Sequence, residues 1–475
     1  MFLWLNRLHM NPRRLACAFT CSFIPFLVSG LNTAYGGVVS PVSFTGIGFS
    51  GTDNYSQVRS VTADGSKAVG TSGQFVSPDG PFSNMKSVSW TQPGGFQVLP
   101  NPPADATTGS LHSFISASDI TPNGSWIAYR AKPNGTGALV AMLGAGDGSS
   151  GTPLGRNGNI SSSAVQINDA GNVLFGFGND PNGLFQSFRW TAGGGYQQFT
   201  DPVGYNESLP AQRGTSSDGS VSVGDIANID LDVTGLETAH QAYRWTLTNG
   251  IVGLGYLPGG DRSVALGVSA DGNTVFGISN STNSPGDPNF GEFFLWTSGS
   301  GMVSLGKPAG YDNYQNVGGM ATDASVLVAS TQSPAAAFIY PTAAHIYYDL
   351  GALIAQAGAA ASIAGWSELT PFGISDDGTT LFGSGTDPNG LTQGWVAHFP
   401  AGYLANVKNT AVTSVSRTPN GPSAGNFVVN GTTCPTPRYR FTFHPIWLPA
   451  SAPASARRRP IRPDYSATPT AVPSA

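Results

Sequence analysis

The stretch Gly267-Val-Ser-Ala-Asp-Gly-Asn-Thr-Val-Phe-Gly-Ile-Ser279 places two runs of β-forming residues on either side of an Asp-Gly-Asn turn. Glycine accepts the positive φ that a tight turn requires, so Asp-Gly between such runs predicts a β-hairpin. The surrounding sequence predicts four short strands, which in chain order are Val264–Ala270, Thr274–Ser279, Glu292–Thr297 and Met302–Leu305. This part of the chain therefore predicts a four-stranded antiparallel sheet.

The same turn recurs along the whole chain. Its copies are Asp64-Gly65, Asn123-Gly124, Ala170-Gly171, Asp218-Gly219, Asp271-Gly272, Asp323-Ala324 and Asp377-Gly378. The spacings between the second residues of successive copies are 59, 47, 48, 53, 52 and 54. A Trp-Thr pair marks the predicted third strand of four repeats, at Trp90, Trp190, Trp245 and Trp296. So regular a period indicates one supersecondary unit that is present seven times.

The two ends of the repeat region complement each other. The seventh repeat stops after its third strand, Gly394–Phe399, whereas an additional strand, Val42–Ile47, precedes the first turn. That additional strand matches the fourth strand of repeat five, Met302–Gly306. Sheets that are apolar on both faces must be covered on two sides, and stacking them around an axis achieves this. The sequence predicts an all-β, seven-bladed β-propeller of four-stranded repeats over residues 40–403, closed by its N-terminal strand.

The repeat also resembles a known family. Gly267–Ser279, the Arg-Trp-Thr strand and Leu254-Gly-Tyr-Leu-Pro-Gly-Gly260 are similar to the HAF-type extracellular repeat family of bacteria. The resemblance covers about Val42 to Pro400 and implies an exported protein, either secreted or at the cell surface, with no established activity. Thr121-Pro-Asn-Gly-Ser-Trp-Ile-Ala-Tyr129 is similar to the strand repeat of TolB-type propellers, with a weaker likeness to WD40-type repeats.

The N-terminal residues are typical of an export signal. Arg13 and Arg14 precede the apolar run Leu15–Val28, and small and polar residues follow it. This order predicts a secretory signal peptide at residues 1–34. The apolar run is short for a permanent anchor, so we expect no stable transmembrane segment after signal removal. Cys17 and Cys21 lie inside the signal, so the mature chain keeps one cysteine and no intramolecular disulfide.

Charge and composition restrict the partners. The formal charge is -5 for the whole chain and -15 for residues 35–400, and an acidic body repels nucleic-acid phosphates. Residues 404–475 are rich in Pro, Ala and Arg, which predicts a flexible tail. The Arg457–Arg459 run in that tail fits a solvated or protease-sensitive segment better than a site for an anionic surface. An extracellular protein or glycan remains as the expected partner.

No motif in the sequence identifies catalytic, cofactor-binding or metal-binding residues. The turn aspartates lack the alternating acids of a calcium loop, so capping of their own turns is favoured. Gly46–Gly51 fits G-x-G-x-x-G but precedes no helix pattern, and the Trp residues are expected in the core rather than in a sugar-binding row. The six histidines show no metal-binding spacing: His9, His112, His240, His345, His398 and His444.

The sequence thus favours a binding or interaction scaffold with an unknown ligand and no cofactor. Uniform repeats create broad loop faces, and no repeat concentrates reactive groups. The alternative is a propeller-fold polysaccharide lyase or hydrolase. A cluster of His240, Glu237, Asp225 and an arginine in one axial pocket would favour that alternative.

Overall fold

The structure is a computed structural model. It describes residues 42–75, 82–92, 94–99, 112–133, 138–156, 158–231, 236–284, 291–308, 313–333, 335–407, 414–417 and 427–430. The predicted signal peptide and most of the predicted tail lie outside these residues. The chain divides into two compact units at Ala405.

The first unit is built almost entirely from short strands. After β1 (Ser43–Gly46), three groups of four follow: β2 (Tyr55–Val61), β3 (Lys67–Phe75), β4 (Phe82–Thr91), β5 (Gly95–Val98); β6 (His112–Ile120), β7 (Trp126–Pro133), β8 (Val140–Ala145), β9 (Gly151–Gly155); β10 (Ser161–Ile167), β11 (Val173–Asn179), β12 (Phe185–Thr191), β13 (Gly195–Gln198). The next three groups are β14 (Glu207–Thr215), β15 (Val221–Asp230), β16 (Leu236–Thr246), β17 (Gly250–Gly253); β18 (Ser263–Val268), β19 (Thr274–Ser279), β20 (Glu292–Thr297), β21 (Gly301–Gly306); β22 (Asn313–Met320), β23 (Val326–Ser333), β24 (Ala335–Pro341), β25 (Tyr348–Asp349). The last strands of the unit are β26 (Ser367–Ile374), β27 (Thr380–Thr386) and β28 (Thr392–His398).

Consecutive strands of each group pair antiparallel, which confirms the predicted all-β class and the four-stranded repeat. In the repeat that begins at Ser263, the second and third strands have the predicted bounds, and the first ends two residues early at Val268. In two places the edges of neighbouring groups are joined by a single parallel residue pair. Tyr55 pairs with Thr392, and Arg213 pairs with Gly267.

The turn between the first two strands of each group has the same geometry. The Asp271 carboxylate accepts hydrogen bonds from the Ser269 hydroxyl at 2.6 Å and from the Asn273 amide at 3.0 Å. Gly272 follows with a φ of 70°, which a residue with a side chain rarely adopts. Asp64, Asp218 and Asp377 accept equivalent bonds, so these side chains cap their own turns as predicted. Their donors are, in the same order, Thr62 and Ser66, Ser216 and Ser220, and Ser375 and Thr379.

The turns also connect neighbouring sheets. Backbone bonds run from Asp169 to Ser217, from Ser217 to Ala270 and from Ala270 to Thr322. A bond of 3.2 Å from the Asp377 amide to the Ala63 carbonyl joins the last turn to the first. The first strands β2, β6, β10, β14, β18, β22 and β26 lie side by side in this order, and β26 also contacts β2.

Strand β1 pairs antiparallel with β28, from Ser43 opposite His398 to Gly46 opposite Trp395. The pair joins residues about 350 positions apart, as the complementary ends of the repeat region predicted. The Phe44 ring packs at 5.6 Å from the Trp395 ring, and this contact anchors the strand.

Apolar side chains fill the space between facing sheets. Trp90 and Trp245 are buried, and Trp190 and Trp296 are half-buried against the same cores. Trp245 stacks on Phe199 of the preceding repeat with ring centroids 4.3 Å apart. The prediction that these tryptophans belong to the core is confirmed.

One element was not expected from the sequence. Between β25 and β26 the chain forms α1 (Leu350–Ile354), a π-helical turn (Ala355–Ala359) and α2 (Ala360–Ile363). The Asp349 carboxylate caps α1 by accepting from the Ala352 amide at 2.7 Å. The alanine-rich sequence favours helix here because no β-branched run opposes it. In the second unit, β29 (Ser414–Arg417) and β30 (Phe427–Asn430) form a hairpin.

Candidate ligand-binding cavity

A cavity of about 460 Å³ lies among the first strands of six groups. This volume is within the range of ~300–1,000 Å³ that is usual for small-molecule sites. Its lining includes one residue or more from each of β2, β6, β10, β14, β18 and β22. Many repeats therefore contribute to the cavity, and no single repeat forms it.

One repeat position supplies much of the lining. It lies six residues before the second residue of each turn and is occupied, in chain order, by Arg59, Ser118, Val165, Arg213, Leu266, Gly318 and Phe372. Five of these residues line the cavity. In β2, β6, β10, β18 and β26 the pairing register shifts at this position. A β-bulge redirects the side chain at the shift, which explains how equivalent residues converge on one space.

Arg59 is the charged member of this set that faces the cavity. Its Nη1 donates to Gln212 Oε1 at 3.2 Å, and its guanidinium lies 4.9 Å from the centre of the Phe372 ring. Burial, together with the nearby positive charge of Arg130, lowers the pKa of Arg59 to about 10. Arg130 also lines the cavity, so two guanidinium groups share this part of the site.

Arg213 occupies the same repeat position but makes a different set of contacts. Its Nη1 lies 3.3 Å from Asp119 Oδ1, and its Nη2 donates to the Arg59 carbonyl at 3.1 Å. The guanidinium also lies 4.6 Å from the Phe382 ring centre. Asp119, which is buried, accepts further bonds from Ser60 and from the Ile167 amide. This pair therefore bridges several repeats and leaves few donors for a ligand.

A second charged group is built on β15 and β16. His240 Nδ1 is 2.7 Å from Glu237 Oε1, and His240 Nε2 is 3.1 Å from Asp225 Oδ2. Burial disfavours charge on His240, but the hydrogen bonds and charges of the two carboxylates outweigh it and raise its pKa to about 9. His240 is therefore a cation at neutral pH.

Arg262 completes this group. It donates from Nη1 to the Glu237 carboxylate and from Nη2 to the Glu237 carbonyl at 3.3 Å. The cluster of His240, Glu237, Asp225 and an arginine, which the sequence analysis linked to an enzyme, is thus present, and its acids and histidine line the cavity. Glu237 and His240 would point to opposite faces of a regular strand, but a register shift between them brings them together.

Glu207 stands beside this group at the start of β14. Its Oε2 accepts from the Phe185 amide at 3.0 Å. Burial and the negative charges of Asp225 and Glu237 raise its pKa. Glu207 therefore holds a proton more readily than an exposed glutamate does.

The other predicted candidates lie apart. His345 contacts Tyr340, and His398 contacts Thr380, each through one ring nitrogen. His112 lies on β6, while His9 and His444 fall outside the described residues. The Gly46–Gly51 segment leaves strand β1 and leads to strand β2 rather than to a helix.

Two features are absent from the described residues. Nowhere in that part of the chain do three His, Cys, Asp or Glu side chains converge as metal ligands would. No helix there has the length and apolar character needed to cross a membrane.

Sequence reasoning did not identify Arg59, Arg130, Glu207 or Arg213. The constant offset from the turn glycine could have marked Arg59 and Arg213 as equivalent and central. Nothing comparable marks Arg130, which lies on a second strand.

No protein-family profile matches the chain, and no curated protein matches it in sequence. Solved β-propellers are similar in structure. The β-propeller domain of the trilobed protease from Pyrococcus furiosus has 8% identity and a TM-score of 0.48, with 72% of this chain and 94% of that domain covered. TolB from Acinetobacter baumannii has 12% identity, a TM-score of 0.37, and coverage of 71% and 65%. The acylaminoacyl peptidase of Pyrococcus horikoshii has 10% identity, a TM-score of 0.41, and coverage of 70% and 49%.

Proposed function

We propose that this chain is an exported bacterial binding protein of the HAF-repeat type, folded as a seven-bladed β-propeller that holds its ligand in the axial cavity. The fold proposal is supported by the order of the first strands, from β2 to β26 and back to β2. It is also supported by the pairing of β1 with β28, which supplies a fourth strand to the last group.

Ring closure has a direct test in two truncations. Deletion of residues 36–50 should destabilise the whole first unit, because it exposes the edge of β28 and opens the seam between the first and last repeats. Truncation after Ala405 should change thermal unfolding little. Equal melting temperatures for the 36–50 deletion and the intact chain would contradict closure.

Export is proposed on the basis of Arg13, Arg14 and the apolar run after them. Expression in a Gram-negative host followed by fractionation should recover a shortened chain outside the cytoplasm. Replacement of the apolar run by a polar sequence is the control. An unprocessed cytoplasmic chain would contradict the export proposal.

The binding role rests on one observation: a cavity of about 460 Å³ formed by many repeats and lined by charged groups from different sheets. Such a site selects a ligand by shape and charge without requiring a reactive group in any repeat. The test is a binding screen of the purified chain against glycan arrays and surface-protein libraries. Absence of any ligand that competes for the cavity would contradict this role.

An enzyme is the second candidate, a polysaccharide lyase or hydrolase, because the His240 group lines the cavity. A pKa of about 9 makes His240 a cation, so it would not serve as a general base at neutral pH. Glu207 is a candidate general acid, because burial raises its pKa and favours its protonated form. Release of reducing ends or unsaturated sugars from acidic polysaccharides, abolished by Glu207→Gln and retained in Glu292→Gln, would support this candidate over a pure binding role.

A further inference from the structure

The side chain of Arg213 reaches strands that are not neighbours of its own. In the series of first strands, β14 lies between β10 and β18. The Arg213 guanidinium nevertheless donates to the Arg59 carbonyl on β2, pairs with Asp119 on β6 and lies over the Phe382 ring on β27. Because the series returns from β26 to β2, a side chain that leaves its fourth strand and contacts its first and last groups crosses the space that the strands enclose.

Glycines on other first strands leave room for this crossing. A Cβ atom added at Gly373 on β26 would crowd Arg213 Nε, and one added at Gly319 on β22 would lie against Arg213 Cγ. Both glycines are five residues before the second residue of the turn, a position at which repeats four and five also have glycine. Repeats one to three have buried polar residues there instead, which are Ser60, Asp119 and Gln166. Arg213 therefore extends over the glycine half of the enclosed space to the polar half.

The far end of the Arg213 side chain is held firmly. Its partner Asp119 is buried and also accepts hydrogen bonds from the Ser60 hydroxyl and the Ile167 amide. Movement of Arg213 away from Asp119 would leave a buried carboxylate without its counter-ion, which is costly. The crossing position is therefore strongly favoured.

The cavity lies on one side of this crossing. On the first strands, every residue that lines the cavity is at the repeat position of Arg213 or earlier in its strand, and so farther from the turn. Glu207, at the start of β14, is the lining residue of that strand farthest from the turn. None of the described turn residues that join neighbouring sheets, such as Ser217 and Ala270, lines the cavity. Arg213 thus lies between the cavity and the turns.

We propose that Arg213, held by Asp119, closes the channel along the axis and makes the cavity a blind pocket, with one mouth beside Glu207 and the His240 group. This inference rests on the proposed binding function and restricts its ligand. A blind pocket admits a small molecule or the free end of a longer chain, whereas a polymer cannot pass through it. A cavity of about 460 Å³ suits a ligand or chain end of that size.

The experiment measures access to the cavity with a thiol reagent. The full chain, with its own cysteines Cys17, Cys21 and Cys434 changed to serine, carries Ser118→Cys, a position that lines the cavity. Methyl methanethiosulfonate is the small reagent, and mass spectrometry of the intact chain gives its rate of reaction. The reference is the chain with Ser118→Cys alone.

Two further variants locate the opening. Glu207→Cys adds a thiol at the proposed mouth, and Ala270→Cys adds one on the turn side as the matched control. Each is first labelled with a polyethylene-glycol maleimide that is too bulky to enter the cavity. The label at Glu207→Cys should slow modification of Ser118→Cys by at least about 10-fold, because the small reagent then enters only when the protein opens locally. The label at Ala270→Cys should leave the rate unchanged.

The role of Arg213 is tested in the chain labelled at Glu207→Cys. Arg213→Ala combined with Asp119→Asn removes the crossing side chain together with the charge of its partner, and should accelerate modification at least about 10-fold by opening the channel from the turns. Arg213→Met combined with Asp119→Asn removes the same charges but still fills the space, so this control should stay slow. Circular dichroism and thermal unfolding show whether each variant folds.

Each other outcome overturns a defined part of the proposal. A Ser118→Cys thiol that does not react in the reference chain, a rate unaffected by the label at Glu207→Cys, or slowing by the label at Ala270→Cys would overturn the single mouth. These arms leave Arg213 unchanged, so they decide the blind pocket even if the Arg213→Ala variant does not fold. A folded Arg213→Ala variant as slow as the Arg213→Met control would overturn closure by Arg213. None of these measurements needs a ligand, so a failed binding screen would reject the proposed function without changing them.

Discussion

Arg59 and Arg213 occupy the same repeat position, three repeats apart, and have opposite environments. Arg213 pairs with buried Asp119 and bridges repeats, whereas Arg59 faces the cavity beside the neutral Gln212. The difference arises from their neighbours rather than from the residue type. An arginine that pairs with a buried carboxylate acts as a structural bridge, whereas one that faces a cavity beside a neutral side chain is a candidate for ligand binding.

The neighbours that decide this are small. A Cβ atom added at Gly373 would lie 2.8 Å from Arg213 Nε, and one added at Gly319 would lie 3.4 Å from Arg213 Cγ. Glycine at both positions leaves the space through which the Arg213 side chain reaches Asp119. Arg59, in contrast, lines the cavity.

The largest expected effect is the loss of the buried pair. Asp119→Ala should lower the free energy of unfolding by about 3–5 kcal/mol, because it leaves the Arg213 charge buried without its counter-ion. Urea denaturation of the full chain measures this change. Arg189→Ala, which removes an arginine far from the pair, is the control, and a similar loss in both variants would contradict the bridging role.

The His240 group should make stability depend on pH. Its folded pKa of about 9 exceeds the ordinary value of 6.5, so the stabilisation is fully present below about pH 6.5 and is lost as the pH rises through 9. The pKa difference corresponds to on the order of 3 kcal/mol. His240→Gln should remove this part of the pH dependence in denaturation at pH 6 and pH 10. If the pH dependence of the unfolding free energy is unchanged in this variant, the carboxylates do not hold the proton on His240.

Gly373→Ala should disturb Arg213 and lower the stability of the first unit. The new methyl group would crowd Arg213 Nε and the Phe382 ring, at a cost of about 1–2 kcal/mol. Gly193→Ala is the matched control because its Cβ would have no atom within 4 Å. Thermal unfolding compares the two variants. Equal melting temperatures would mean that the Arg213 side chain can shift without a loss of stability.

The smallest change in stability is expected at Arg59. Arg59→Gln should alter the free energy of unfolding by about 1 kcal/mol or less, because it removes repulsion from Arg130 along with one hydrogen bond. Urea denaturation beside Asp119→Ala gives the contrast directly. A loss as large as that of Asp119→Ala would place Arg59 in the structural framework rather than in a binding site.

Much of the fold could be predicted from the sequence because its signals are local. The Asp-Gly turns, the strand runs and the core tryptophans each depend on a few adjacent residues. The helical segment at Leu350–Ile363 was missed because a short alanine-rich run between strands has no strong local signal. The flexible tail and the signal peptide stay predictions, since most of their residues lie outside the described chain.

The site was predicted less well. The sequence analysis stated that a cluster of His240, Glu237, Asp225 and an arginine would favour an enzyme. The sequence alone does not show that a register shift places Glu237 and His240 on one face. It also gave no role to Arg59, whose contacts come from residues in other repeats.

The amino-acid sequence by itself determined the repeat, the strand order within it and the capped turns, because hydrogen bonds and φ preferences act over a few residues. Only the tertiary structure decided which charges meet. A bulge at one position of five first strands turns distant side chains toward a common space, and the neighbouring residues there distinguish Arg213 from Arg59. Electrostatic pairing depends on distance in space, and the linear sequence does not contain that distance.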